Sequence, residues 1–99
     1  MPSILYSPGY GAGWSTWADK DQAVFLTQDP TLVSFAQRKA TIEEVSNYLK
    51  TIYPDNVPYL GGWGDITIFE LSKGTLYRIE EYDGSESVVT LSNVEWMVA

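Results

Sequence analysis

Residues 9–17 read Gly-Tyr-Gly-Ala-Gly-Trp-Ser-Thr-Trp and carry no charge. Gly9, Gly11 and Gly13 admit positive φ and let another group approach the main chain closely. Successive free N–H groups in such a loop form a nest for an anion. Tyr10, Trp14 and Trp17 offer planes on which a flat group could stack, and Ser15 and Thr16 add hydroxyls. These are the parts of a nucleotide pocket that needs little positive charge. The same residues also fit a loop that tucks its indoles into the core and turns sharply at glycine. The spacing is neither a GxGxxG leading into a helix nor a Walker motif, so no dinucleotide or ATP fingerprint is present.

A second loop, Tyr59-Leu60-Gly61-Gly62-Trp63-Gly64, repeats this chemistry. Gly61, Gly62 and Trp63 either join the first loop in one site or form an independent turn. A third stretch, residues 77–87, reads YRIEEYDGSES. Strand alternation sets Tyr77, Ile79 and Glu81 on one face and Arg78, Glu80 and Tyr82 on the other. Arg78 and Glu80 either pair side by side or orient a polar ligand. Glu80, Glu81, Asp83 and Glu86 suit Ca²⁺ or Mg²⁺ as ligand types, but their spacing is no EF-hand, and a solvated hairpin tip accounts for them more simply. The expectation is therefore no metal site and no cofactor.

The chain has no histidine and no cysteine. Disulfides, zinc thiolates and every catalytic arrangement built on those side chains are thereby removed. Paired carboxylates alone could run acid–base chemistry, but with no identifiable nucleophile the chain reads as a non-enzyme. Six basic residues stand against 13 acidic ones, a net charge of −7. Such a chain repels phosphate backbones, so free DNA or RNA is not an expected partner. No apolar run approaches the ~20 residues of a membrane span, and MPSILYSPG lacks the basic start and apolar core of a secretory signal. These features predict a cytoplasmic protein with no membrane partner.

Ninety-nine residues, 44% hydrophobic and 19% charged, form one domain spanning 1–99. A chain of this size buries roughly 60–68% of its unfolded surface, enough for one small core. Residues 3–6 read as a strand stopped by Ser7-Pro8-Gly9. Residues 23–27, Ala-Val-Phe-Leu-Thr, are a short apolar run, a strand or one turn of helix, and β-branching favours strand. Asp29-Pro30 starts a helix, with Asp at the N-cap and Pro at N1. That helix turns Leu32, Val33 and Ala36 inward and puts Arg38 and Lys39 in its last turn, where cations suit the dipole. Thr41 with Glu44 is a capping box, followed by the apolar stripe Ile42, Val45, Leu49 and Ile52 and a stop at Pro54. Residues 66–71, 76–82, 87–91 and 94–98 are strand-like, with Asp83-Gly84 a favoured hairpin turn. The predicted fold is α+β: an antiparallel sheet of three to five strands, ending in a C-terminal meander, with two helices on one face.

SPGYGAGWSTW, DPTLV, GGW and GTLYRIEEYDGSES together resemble a group of small proteins encoded by bacteriophages, over Ser7 to about Ser87. The resemblance implies action inside a bacterial host, where small accessory phage proteins commonly neutralise defences. Two functions follow as expectations. One is a non-enzymatic counter-defence protein that sequesters a nucleotide-type ligand: loop N–H groups and Arg78 hold phosphate, with Glu80 alongside, and Trp or Tyr stacks the base. So small a domain would complete such a pocket at a homo-oligomer interface. The other is an inhibitor whose acidic surface covers the basic face of a host protein.

Overall fold

The computed structural model describes residues 2–90. Among these residues four strands, β1 (Ser3–Tyr6), β2 (Thr67–Glu70), β3 (Tyr77–Tyr82) and β4 (Ser85–Thr90), combine with three helices, α1 (Ala23–Gln28), α2 (Pro30–Gln37) and α3 (Ile42–Ile52). Short 3₁₀ turns occupy Ser15–Trp17, Lys20–Gln22 and Gly61–Asp65.

The class is α+β, but the strands form two separate two-stranded antiparallel sheets, not a meander of three to five. β1 takes β2 as its partner, with Ile4 opposite Phe69 and Leu5 opposite Ile68. β3 pairs with β4. The exposed segment 72–76 separates β2 from β3, and these two neighbours in sequence belong to different sheets. The strand expected at 94–98 lies outside the described residues.

Alternation along β1 explains the layering. Leu5 points into the main core with Trp14, Leu26, Leu32, Val33, Ala40, Val45, Leu49 and Trp63, which the helices close. Ile4 points the other way, into a smaller cluster with Leu71 and Val88, flanked by Tyr6, Phe69, Tyr77 and Ile79. The β1–β2 ribbon is therefore covered by helices on one face and by the β3–β4 hairpin on the other. Period-2 alternation makes this two-sided burial available to a strand of only four residues.

The helices follow their caps. The Asp29 carboxylate accepts from the Leu32 amide at 3.1 Å, with Pro30 at the first helical position; such a cap contributes about 1 kcal/mol. The Thr41 hydroxyl accepts from the Glu44 amide at 3.3 Å, while the Glu44 side chain turns to Arg38 at 2.6 Å and does not close the box. Within the α3 stripe Val45 and Leu49 are fully buried, whereas Ile42 and Ile52 are exposed at its ends. α2 stops at Gln37, so Arg38 caps it and Lys39 lies beyond, at φ 56°.

Residues 23–28 are helical, not extended. The 3₁₀ turn at Lys20–Gln22 feeds directly into α1, and the Phe25 carbonyl accepts from the Asp29 amide at 2.9 Å. Leu26 and Thr27 face inward. Tertiary packing outweighs the local β-propensity here, as it often does in short apolar runs.

Candidate functional site

The loop after β1 folds around an anion of the protein's own making. Gly11 takes φ +91° and its amide donates to the Asp83 carbonyl at 2.7 Å, which brings the hairpin turn onto the loop. Asp83 and Gly84 both have positive φ, the geometry that a two-residue hairpin turn requires. A Cβ on Gly84 would collide with the Ala12 amide nitrogen, so the two backbones touch. This docking drives Glu86 into the loop. Its Oε1 accepts from the Ser7 amide at 2.9 Å. Its Oε2 accepts from the Trp14 amide at 2.7 Å, the Thr16 amide at 3.0 Å and the Thr16 hydroxyl at 2.5 Å. Glu86 is only 1% exposed. The expected nest of successive glycine N–H groups is not what forms: the Gly11 amide is spent on Asp83, and the amides of Ser7, Trp14 and Thr16 surround a carboxylate 70 to 79 residues away in sequence.

The second Gly/Trp loop closes on the first. A Cβ on Gly62 would collide with the Gly13 carbonyl. Trp14 and Trp63 lie 5.6 Å apart between ring centroids, both buried. The Trp14 indole N–H donates to the Leu26 carbonyl at 2.8 Å and that of Trp63 to the Ala40 carbonyl at 2.9 Å. A buried indole with its N–H satisfied contributes area without an unpaired polar group. Both indoles are core residues.

The expected site residues therefore divide. Gly13, Trp14, Ser15, Gly62 and Trp63 come together, but as a closed junction, with Gly11 and Thr16 exposed at its rim. Gly61 lies at its edge, tight against the Tyr59 ring. Trp17 stays partly exposed, its ring 5.4 Å from that of Tyr59 and its N–H donating to Glu81 at 3.3 Å. Tyr10 is 74% exposed. Arg78 and Glu80 do not join the loops. They pair with each other at 2.7 Å on the outward face of β3, opposite the face that carries Glu81.

Sequence reasoning missed Glu86 and Glu81. The register sets these two carboxylates directly opposite each other, and Ile79 opposite Val88 on the same face. Carrying the alternation of β3 through the two-residue turn would have placed Glu86 beside an apolar, inward position. Glu81 Oε2 accepts from the Gly84 amide at 2.7 Å and from Trp17. Like charges directly across a ladder repel, and separate sets of donors hold this pair.

What faces outward near the junction is aromatic and acidic. Trp17, Tyr59, Tyr10 and Tyr82 are exposed, and so are Asp19, Asp65, Glu81 and Asp83. Among the described residues the ion pairs are Arg38–Glu44 and Arg78–Glu80, so none of these four acids is neutralised by a cation. Beside them runs an open groove of about 570 Å³ between α1 and β3. Ala18, Val24 and Ile79 form its apolar wall, and Ser15, Thr16 and Lys20 its polar end. On its other side the Tyr77 hydroxyl accepts from Gln28 at 2.6 Å and lies 3.1 Å from Thr27 Oγ1.

No group of three or more metal-ligating side chains lies together among the described residues. No helix among them is long and apolar enough to cross a membrane. No protein family, curated protein or solved structure matches the chain.

Proposed function

We propose that the protein is a non-enzymatic binding protein that acts on a host macromolecule in a phage-infected bacterium, through the acidic, aromatic-bearing surface around Trp17, Tyr59 and Glu81. The carrying observation is the contrast within one loop: Trp14 and the donors around it are spent on the fold, while Trp17 is left beside Tyr59, tilted 35° to its ring, at the surface. Tyr and Trp are the residues most enriched at binding hot spots, and a charged rim sets orientation and encounter rate. With a net charge of −7, the complementary partner is a basic protein face, of the kind that otherwise holds nucleic acid.

The test compares wild type, Trp17→Ala and Tyr59→Ala in capture of host proteins across a salt series. Support is one basic protein retained by wild type, released as salt rises, and lost in both variants with their folds intact. Retention unchanged by both substitutions would reject this surface.

The groove between α1 and β3 favours a second reading, sequestration of a nucleotide-type ligand. Lys20, with Ser15 beside it, would then meet its anionic end, and the wall of Ala18, Val24 and Ile79 its flat body. Its volume lies in the range of small-molecule sites, and a second copy of the chain would close its open side. Calorimetry against cyclic and ADP-ribose-type nucleotides separates the readings. Heat abolished by Lys20→Ala together with Val24→Asp supports the groove, and no heat for any nucleotide rejects it.

A further inference from the structure

Glu86 is a buried carboxylate with no cation beside it: neither of the two ion pairs among the described residues includes it. A charge removed from water is tolerated only when other groups replace its hydration. Here all four donors come from one segment, residues 7–16, and the acceptor arrives from a different sheet. The relation is that of receptor and ligand within one chain.

Ser7 and Trp14 are held in place by contacts that do not involve the Glu86 side chain, and Thr16 sits inside the 3₁₀ turn that the Ala18 amide closes on the Ser15 carbonyl at 3.2 Å. The Ser7 carbonyl accepts from the Glu86 amide at 2.8 Å, and the Ser7 hydroxyl donates to the Ala12 carbonyl at 3.3 Å. Gly13 is pinned by the backbone contact with Gly62. Trp14 is fixed by its indole bond to Leu26 and its packing on Trp63. A receptor so supported keeps its shape when its ligand is removed, and preorganised donors bind with little ordering cost.

We infer that residues 7–16 form a preorganised carboxylate-binding site, that Glu86 is its tethered ligand, and that truncating this side chain leaves a site for a small monocarboxylate of formate or acetate size. The β3–β4 hairpin, which also packs on the β1–β2 ribbon through Val88, Ile4 and Leu71, is then the carrier of that ligand. The supporting bonds, Gly11 to Asp83 and the Ser85 hydroxyl to the Pro8 carbonyl at 2.7 Å, flank the carboxylate on the same loop.

The test is thermal unfolding of Glu86→Ala in sodium acetate, sodium formate and sodium chloride at matched ionic strength and pH. Acetate or formate at about ten times its Kd is expected to raise the variant's Tm by roughly 5–10 °C, saturably, with chloride inert and wild type unmoved. Equal responses to acetate and chloride, or an equal response in wild type, would overturn the inference. If Glu86→Ala does not fold in any of these salts, Glu86→Gln decides. Amide exchange at Ser7, Trp14 and Thr16 is then expected to rise at least tenfold more than at Leu26 and Leu49. A uniform change, or none, would show that the loop does not depend on the charge it holds.

Discussion

Trp14 and Trp63 meet at a 52° tilt with their indole N–H groups aimed in different directions, one at α1 and the other at the turn between α2 and α3. The pair ties two Gly/Trp loops to two helical segments. Trp14→Ala should cost about 3–5 kcal/mol, a drop in Tm that calorimetry would read as tens of degrees or outright failure to fold. Trp17→Ala should cost no more than about 1–1.5 kcal/mol, because its ring is already partly in water and its polar contact is long. Equal losses would mean that the surface and core assignments of the two indoles are wrong.

Gly62 and Gly64 make a controlled comparison. Gly62 has no room for a Cβ, because the Gly13 backbone occupies that space, whereas nothing lies within 4 Å of a Cβ on Gly64. Gly62→Ala is expected to destabilise by roughly 1–3 kcal/mol, the range for forced backbone shifts. Gly64→Ala should be neutral or stabilise by up to about 1 kcal/mol, through the lower entropy of the unfolded chain. Denaturant midpoints of the two variants at constant m-value would read the difference.

The tyrosine at 48 gives a pH prediction. Its hydroxyl titrates above the ordinary tyrosine range. Burial is the main cause; a hydrogen bond with Thr31 opposes it, and the Asp29 carboxylate, which accepts the O–H at 2.9 Å, adds to it. With the folded value raised, the neutral phenol stabilises the native state fully below about pH 10, and this contribution is lost as pH rises through the folded value. Asp29→Asn keeps a competent N-cap for α2 but removes the charge, so Tyr48 should ionise closer to the ordinary range. Alkaline titration followed by tyrosinate absorbance, with helicity as control, would check this. An unmoved Tyr48 would assign the whole shift to burial.

Arg78→Ala should leave stability within about 0.5 kcal/mol of wild type, because both members of its ion pair are well exposed. It should also leave host-protein capture unchanged, since β3 turns it away from Trp17 and Glu81. A large loss of capture would extend the binding surface to the outward face of the hairpin.

Local signals carried the parts of this fold that depend on neighbours in sequence. Asp29-Pro30, the Thr41 cap and Asp83-Gly84 each fix a backbone geometry within four residues, and each stands where its chemistry demands, although the Glu44 half of the capping box goes to Arg38. The pairing of β1 with β2 joins residues more than sixty positions apart and has no such mark. α1 is too short for its period to outweigh the β-branching of its residues. That the loop would surround an anion was legible in outline, but neither the donors, Ser7, Trp14 and Thr16, nor the occupant: four acids around a turn look like a solvated tip until alternation separates Glu86 from Glu80. Whether Trp14 or Trp17 faced inward rested on a three-residue 3₁₀ turn with no sequence signature.

The tie from residue 86 back to residues 7, 14 and 16 also has a kinetic side. A chain leaving the ribosome exposes its glycine-rich segment long before the carboxylate that completes it has been synthesised. Bonds of such separation raise contact order and defer closure to the last stage of folding. Until then the two tryptophans of the loop are open to chaperones and to neighbouring chains, so yield in the cell should fall more steeply with defects near residue 86 than the equilibrium stability of the finished protein would suggest.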